Sequence, residues 1–207
     1  MKKLFTTCML GLTMIIASPA QTVPTVQHHE FYAGLGLLNS NQVLSMFGDL
    51  IGTIFTLGHA VQPGSYWAFT PSIGYKYWFN NYIGLGAHFA FDKNSVKAVY
   101  DAGSLATTDD DKWATHNRYF WTMALDFNWN YMNKPMCQLY GDIGMGASVV
   151  RFSNNRPDNP EATLKQFPFF NMHLSPFGVR VGNKVGGFAE FGWGYKGFIN
   201  AGVSVKL

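Results

Sequence analysis

The sequence predicts an all-β protein: an eight-stranded antiparallel up-and-down transmembrane β-barrel with one short amphipathic helix in its first long loop. Three observations predict it: stretches of alternating apolar and small or polar residues, an alternation of tight and long connections, and an unusual composition. Charged residues make up 13 % of the 207 residues and aromatic residues 16 %, and there are 22 glycines. This composition suits a sheet with one face in lipid and the other in a crowded interior.

The first 20 residues have the pattern of a secretory signal peptide. Two lysines precede an apolar stretch at residues 4–17, and Ser18-Pro19-Ala20 fits a cleavage site after residue 20. The apolar stretch is too short for a permanent spanning helix. We therefore expect residues 1–20 to be removed and residues 21–207 to form a single barrel domain.

Charge and cysteine content restrict the function of this mature chain. Removing the two lysines takes the formal charge from +3 to +1, which offers no electrostatic basis for binding nucleic acid. Cys8 leaves with the signal peptide, so Cys137 has no partner for an internal disulfide. We interpret Cys137 as a small apolar residue on a strand.

The eight predicted strands follow a short tail at residues 21–30. His28 and His29 in this tail are better explained as a linker than as metal ligands, because no third ligand lies nearby in sequence. Alternation with period two is the pattern of a strand with two different faces. It places the strands at residues 31–38, 66–79, 82–92, 113–132, 137–152, 166–181, 187–195 and 199–207.

Each strand has a recognisable apolar face. The third strand is the clearest, because glycine, histidine, alanine and aspartate fill every position between its apolar residues. In the sixth strand the alternation changes phase near Ser175-Pro176, which predicts a β-bulge. The apolar faces of the strands include Phe31, Ala33, Leu35, Phe69, Ile73, Tyr75, Ile83, Leu85, Phe89, Trp121, Met123, Leu125, Ile143, Met145, Ala147, Ala189, Phe191, Trp193, Ala201, Val203 and Val205.

The connections alternate between tight and long. Tight turns are predicted at Asn80-Asn81, Asn133-Lys134-Pro135 and Gly182-Asn183-Lys184, and a short hairpin around Lys196-Gly197 joins the last two strands. The long connections are residues 39–64, 93–112 and 153–165. Transmembrane barrels have short periplasmic turns and longer outer loops, so both termini are expected in the periplasm.

A lipocalin-like barrel in the periplasm is the structural alternative. It would turn the apolar faces inward and the polar faces toward water. The polar faces here consist mostly of glycine and small residues, which fit a crowded interior better than a solvated exterior. The membrane barrel is therefore preferred.

The first long loop contains a stretch with helical spacing. Apolar residues recur with period 3.6 over residues 40–58, with a narrow polar stripe at Ser45, Asp49, Thr53 and Thr56. Asn39 or Ser40 can serve as the N-cap and Gly58 as the C-cap. The helix is too short to span a membrane. It could cover the barrel mouth, lie in the outer leaflet beside the barrel, or dock on a partner; the first two need no unseen protein.

Several charged residues fall on inward faces. They are Lys76, Asp126, Asp142, Arg180 and Glu190, with Lys196 and Lys206 near the C-terminus. We expect a salt-bridged interior network, and Arg180 and Glu190, on adjacent strands around one tight turn, could face each other. A path for protons or small ions is the alternative, and eight strands leave no room for a wide solute pore.

One triplet raises an enzymatic alternative. Eight-stranded lipid A deacylases use a serine and a histidine two apart on one strand with an acid nearby, and His173, Ser175 and Glu190 have similar spacing here. The histidine would take the serine proton and the acid would orient the histidine. Because these side chains are predicted to point inward, a non-enzymatic protein is preferred. Asp109-Asp110-Asp111 suits a solvated turn better than a Ca²⁺ site, so no metal or cofactor is predicted.

The C-terminus resembles the assembly signal of bacterial outer-membrane barrels, with Asn200, Gly202, Val205 and Leu207 in its places and aliphatic residues where aromatic ones are common. The loop helix and the runs 180–183, 194–197 and 200–203 make the chain resemble small outer-membrane proteins of the Bacteroidetes β-barrel-domain type. The resemblance implies a monomeric outer-membrane protein that contacts lipid or lipopolysaccharide and the barrel-assembly machinery. No activity is established for such proteins as a class, and their surface loops would serve adhesion, envelope contact or partner binding.

Overall fold

The computed structural model of the chain describes residues 27–55, 61–62, 69–99, 113–154 and 166–207. The predicted signal peptide, the predicted cap Gly58 and the acidic turn Asp109-Asp110-Asp111 lie outside the described residues. One helix, α1, spans Ser40–Phe55. The strands are β1 His29–Leu37, β2 Val61–Gln62, β3 Phe69–Trp78, β4 Ile83–Val99, β5 Trp113–Lys134, β6 Cys137–Asn154, β7 Phe167–Gly182, β8 Val185–Gly194 and β9 Ile199–Lys206.

Eight of these strands close into an antiparallel barrel. Each strand pairs with its sequence neighbours, β1 pairs with β9, and the additional pairing of β4 with β5 completes the ring. The two-residue β2 lies outside this ring and pairs with Ala98 and Lys97 of β4. The predicted fold class is confirmed, and so is the pairing of the last strand with the first, in which Phe31 lies opposite Val205.

No helix in the described part of the chain is long and apolar enough to cross a membrane.

Two of the strand boundaries that differ from the prediction are informative. The predicted tail is wrong at its end, because β1 begins at His29 and both histidines contact β3: His28 Nδ1 lies 2.7 Å from the carbonyl oxygen of Trp78, and His29 Nδ1 lies 2.7 Å from the Tyr75 hydroxyl. The third predicted strand was also too short, since β4 continues to Val99, paired with Trp113. Its upper part carries polar residues on both faces, so the alternation fades although the ladder continues.

The barrel has two different ends. The tight-turn end contains the start of β1, the end of β9 and the turns around residues 79–82, 135–136 and 183–184. At the opposite end, which we call the helix end, α1 follows β1, and β4, β5 and β6 rise above the short β8–β9 hairpin. The wall is therefore taller on one side than on the other.

The outer wall is apolar. Strand β8 alternates strictly between exposed and buried residues, and Leu125 and Met123 of β5 remain 71 % and 67 % exposed. Aromatic side chains contact one another near both ends of the wall. The pairs are Tyr77–Phe79 and Trp129–Tyr131 near the tight turns, and Phe91–Trp121 and Trp193–Phe198 toward the helix end. A shallow apolar depression of about 1060 Å³ on the wall lies among outward residues such as Phe31, Ile73 and Met145.

The predicted bulge at Ser175-Pro176 is confirmed. Along β8 the partners step from Leu174–Trp193 to Phe177–Phe191, so β7 carries one extra residue. The pairing of β7 with β6 shifts over the same residues. Proline cannot donate to the ladder, which explains why the extra residue lies there.

Two interior tyrosines lie flat over glycines of the neighbouring strand. Tyr32 is paired with Gly74 and Tyr140 with Gly178, and a Cβ atom on either glycine would overlap the tyrosine ring. Glycine at these two positions therefore allows large polar aromatic side chains to cross a narrow interior.

We predict that Gly74→Val destabilises the barrel and that Gly187→Val does not. A Cβ at Gly74 collides with Tyr32, whereas at the outward-facing Gly187 the nearest atom is 3.8 Å away. Overpacking of this kind costs about 1–3 kcal/mol. Urea unfolding of the refolded chain, followed by tryptophan fluorescence, should show a lower midpoint for the first variant only. Equal midpoints would contradict this account of the glycine–tyrosine pairs.

Candidate functional site

Below Asp92 and the other rim residues that contact α1, the barrel interior holds charged side chains in equal numbers. Four acidic and four basic residues point inward there, and each is at most 8 % exposed. A narrow barrel cannot hold an unpaired charge away from water without a large cost in free energy, so the balance matters. The residues are Glu30, Asp126, Asp142, Glu190, Lys76, Arg180, Lys196 and Lys206.

At the tight-turn end the network centres on Glu30. Arg180 Nε lies 3.2 Å from its carboxylate and Lys206 Nζ 3.9 Å, while Trp78 Nε1 donates a 2.8 Å hydrogen bond. Arg180 also donates to the Ser204 hydroxyl at 2.6 Å. Glu30 was not predicted to belong to this network, although the alternation of β1 continues through this residue.

The expected pairing of Arg180 with Glu190 is wrong. In the β7–β8 hairpin Arg180 lies opposite Phe188, and Glu190 lies opposite Gly178. The two charges are therefore offset by two residues along the barrel, and Arg180 meets Glu30 of β1 instead. Spacing around the turn could not reveal this, because it depends on the register of the hairpin.

Glu190 occupies the middle layer of the interior. It accepts hydrogen bonds from the Tyr140 hydroxyl at 2.8 Å and from Asn200 Nδ2 at 2.9 Å. Lys76 Nζ lies 3.6 Å from the same carboxylate and 4.5 Å from the centre of the Tyr140 ring. Two of the residues predicted for the interior network, Lys76 and Glu190, therefore meet directly.

The upper layer is organised by Lys196. Its Nζ lies 3.0 Å from both Asp126 and Asp142, the two predicted aspartates, and Tyr195 donates a short hydrogen bond to Asp126. Both Tyr195 and Lys196 come from the β8–β9 hairpin, which bends into the barrel. Gly194 and Gly197 on either side have φ of 136° and 101°, which other residues rarely adopt. These flanking glycines are the sequence signal for the inward bend.

Three side chains next to this layer have the chemistry of metal ligands. Ligand atoms of Asp142, His173 and Glu190 lie within 4.8 Å of one another. Lys196 and Lys76 contact two of these carboxylates, so their ammonium groups compete with any added cation. This arrangement favours an internal ion-pair network over a metal centre.

The residues of the enzymatic alternative are placed inside the barrel but not as a nucleophile–base pair. The Ser175 hydroxyl donates to the backbone carbonyls of Phe191 at 3.1 Å and Phe177 at 3.4 Å, within the bulge. His173 lies beside Asp142, with 3.8 Å between its Nε2 atom and the carboxylate. Ser175 and His173 are at most 1 % exposed. A lipid substrate has no access to a hydroxyl in this position.

The first turn of α1 is tied to the barrel wall. Asn39 is the N-cap, with Gln42 N donating to its Oδ1 at 2.8 Å and the Gln42 side chain accepting from Asn39 N at 3.2 Å. The amide groups of the same two residues donate to Asp92 of β4, at 3.2 and 3.1 Å. A carboxylate at the start of a helix is also favoured by the helix dipole.

The rest of α1 lies with its polar side toward the barrel. Asn41 accepts from Asn171, Ser45 accepts from Asn94 at 3.2 Å, and Asp49 binds Arg118 at 2.7 Å. The apolar residues of the helix face away, so that Phe55 is 84 % exposed. All these partners are inward-facing wall residues, so the helix covers the mouth of the barrel rather than lying beside it. The predicted stripe included Ser45 and Asp49 but missed Asn41 and Gln42.

The geometry defines a closed barrel with an ion-paired interior and a helical cover. No protein-family model matches the chain, and a search of curated proteins finds no match. Among solved structures the chain is similar to the N-terminal β-barrel domain of Pseudomonas aeruginosa OprF, with 10 % identity, a TM-score of 0.45, and coverage of 87 % of this chain and 98 % of that one. It is also similar to Ail, the attachment invasion locus protein of Yersinia pestis, in complex with the heparin analogue sucrose octasulfate. That match has 13 % identity, a TM-score of 0.41, and coverage of 86 % and 96 %.

We predict that Lys196→Met destabilises the protein strongly. The substitution leaves Asp126 and Asp142 buried without their shared cation, which costs about 3–5 kcal/mol. Adding Asp126→Asn and Asp142→Asn to the same chain should restore most of the lost stability, because no buried charge is then unpaired.

The matched control is Lys184→Met, which removes a lysine from an exposed turn. Urea unfolding midpoints should fall for Lys196→Met, recover in the triple variant and stay unchanged for Lys184→Met. If Lys196→Met unfolds at the wild-type midpoint, Lys196 does not hold the interior together.

Proposed function

We propose that this protein is an integral outer-membrane β-barrel that does not conduct and has no enzymatic activity. It serves as a membrane anchor whose helix end makes contacts in the cell envelope. One observation carries the proposal: the closed wall is apolar on its outside and ion-paired on its inside.

The apolar outside is the argument for lipid. Large apolar side chains cover the wall between the aromatic pairs near its two ends. This is the surface of a transmembrane barrel. Closure of the ring pairs every strand with two neighbours, so a hydrocarbon environment leaves no open sheet edge. The lipocalin-like alternative needs the reverse arrangement of faces, and the inward charges contradict it.

The ends of the chain support the outer membrane and an orientation. We propose that residues 1–20 act as a signal peptide that exports the chain. Strand β9 carries Asn200 and Gly202 on its inner face and Val205 on its outer face, and the exposed Leu207 follows it. We propose that this strand is read by the barrel-assembly machinery and that both termini lie in the periplasm. The helix end then faces outward, and the apolar wall contacts lipid or lipopolysaccharide. A ring without a free edge is consistent with a monomer.

The packed interior is the argument against conduction and catalysis. Three layers of ion pairs centred on Glu30, Glu190 and Lys196 cross the lumen, and α1 covers its outer mouth. The Ser175 hydroxyl is bound to backbone carbonyls instead of a base. The interior therefore stabilises the barrel, and the helix end makes the contacts with other molecules.

We expect the protein to fractionate with the outer membrane and to migrate differently on gels before and after boiling. Folded barrels resist the detergent and run as compact species until heated. Unboiled and boiled samples of outer-membrane fractions should differ in mobility, and Gly74→Val should reduce the compact species. Recovery in the soluble periplasmic fraction without a mobility shift would refute the membrane barrel.

We also expect no channel activity. Folded protein added to a planar lipid bilayer at ±100 mV should produce no discrete conductance steps, because no continuous water path passes the three ion-paired layers. A 16-stranded porin inserted under the same conditions serves as the positive control. Reproducible single-channel steps from the folded chain would favour the ion-path alternative and contradict this proposal.

A further inference from the structure

Helix α1 and the tall side of the barrel wall enclose a cleft of about 770 Å³. The cleft lies above the ion-paired layers, against the upper inner faces of β4, β5, β6 and β7. Its size falls within the range of small-molecule sites, about 300–1000 Å³. Its apolar lining consists of Leu44, Val96, Phe120, Val150, Phe152 and Phe169.

The helix leaves this space open through two glycines. Leu44, Gly48 and Gly52 are spaced four residues apart and line the cleft along one side of α1. A glycine inside a helix costs about 1 kcal/mol relative to alanine, so two of them weaken α1. A Cβ atom at Gly48 would meet no other atom within 4 Å. Gly48 is therefore not required by close packing, and its lack of a side chain widens the cleft.

One accessible charge stands at the edge of the cleft. The side chain of Arg118 is 21 % exposed and binds Asp49, whose own side chain is only 4 % exposed. Both residues line the cleft, and the guanidinium is the more accessible member of the pair. A guanidinium has five N–H donors, so Arg118 can hold a second anionic group beside Asp49.

We propose that this cleft binds a single-chain amphiphile with an anionic head group. The acyl chain lies between the glycine side of α1 and the aromatic wall, and Arg118 binds the carboxylate or phosphate. Either a free fatty acid or a lipid with a phosphate head has this chemistry. Hydrogen bonds and the Asp49–Arg118 ion pair hold α1 to the rim, and their opening admits the chain.

The test is isothermal titration of the full mature chain in phosphatidylcholine nanodiscs, with empty nanodiscs as background. The probes are decanoate, decyl phosphate and decanol. We expect saturable binding of at least one of the two anions at one molecule per chain, and at least tenfold weaker binding of decanol. Preference for decanoate indicates a free fatty acid, and preference for decyl phosphate indicates a lipid head group.

Two matched pairs of variants locate the site. Val150→Trp fills the cleft, whereas Val149→Trp places the same side chain on the outer wall; the first should weaken binding at least tenfold and the second should not. Arg118→Gln should also weaken anion binding about tenfold, while Arg151→Gln removes an outward-facing arginine of the same wall and should leave binding unchanged. If Val150→Trp does not fold, Gly48→Phe fills the cleft from the helix, with Gly48→Ala as its control.

Three results would overturn the proposal. The first is heats for both anions equal to those of empty nanodiscs. The second is wild-type affinity in the variants that fill the cleft. The third is decanol binding as tightly as the anions. The gel-mobility shift of the same samples reports the barrel separately, so loss of binding is distinguishable from loss of fold.

Discussion

The structure depends on placing eight charges inside a barrel too narrow for water to solvate them. Glu30, Glu190 and Lys196 each bring together partners from several strands, and the four negative and four positive charges of these layers cancel. Because every partner comes from a different part of the ring, the pairs can form only when the barrel closes with the right register. The same interactions that satisfy the buried charges therefore also specify the closed state. Apolar packing plays a smaller part in this, since most of the large apolar side chains point outward.

The helix end is also held together by polar interactions between distant parts of the chain, and these interactions are weaker. Helix α1 lies over the mouth with its polar side toward the barrel. It is held there by hydrogen bonds from Asn39 and Gln42 to Asp92 and by the Asp49–Arg118 ion pair. A helix of an ordinary soluble domain would bury its apolar side instead. Here the mouth offers polar partners, so the usual orientation is reversed. The result is a lower interior held by buried ion pairs and an upper cleft whose helical cover is tied down by hydrogen bonds and one ion pair.

Much of the barrel could be predicted from sequence because its signal is local. The β8 alternation and the phase change at Ser175-Pro176 each report a property of one strand, and both predictions are confirmed. The upper part of β4 could not be predicted, because beyond the apolar band the outer face of a strand has no reason to be apolar. For the interior, the sequence indicated which charges point inward, yet the Arg180–Glu190 pairing was wrong. Ion pairs across a barrel join strands far apart in the chain, and their partners follow from register.

The sequence by itself determined which face of each strand is apolar, and with it the closed barrel, because the period of two is a property of the strand backbone. It also determined the presence of a helix after β1, through its spacing and its cap at Asn39. Only the tertiary structure decided that Lys196 turns inward between Asp126 and Asp142 and that α1 lies polar side down. Both depend on where distant strands place their partners, which no local pattern of residues records.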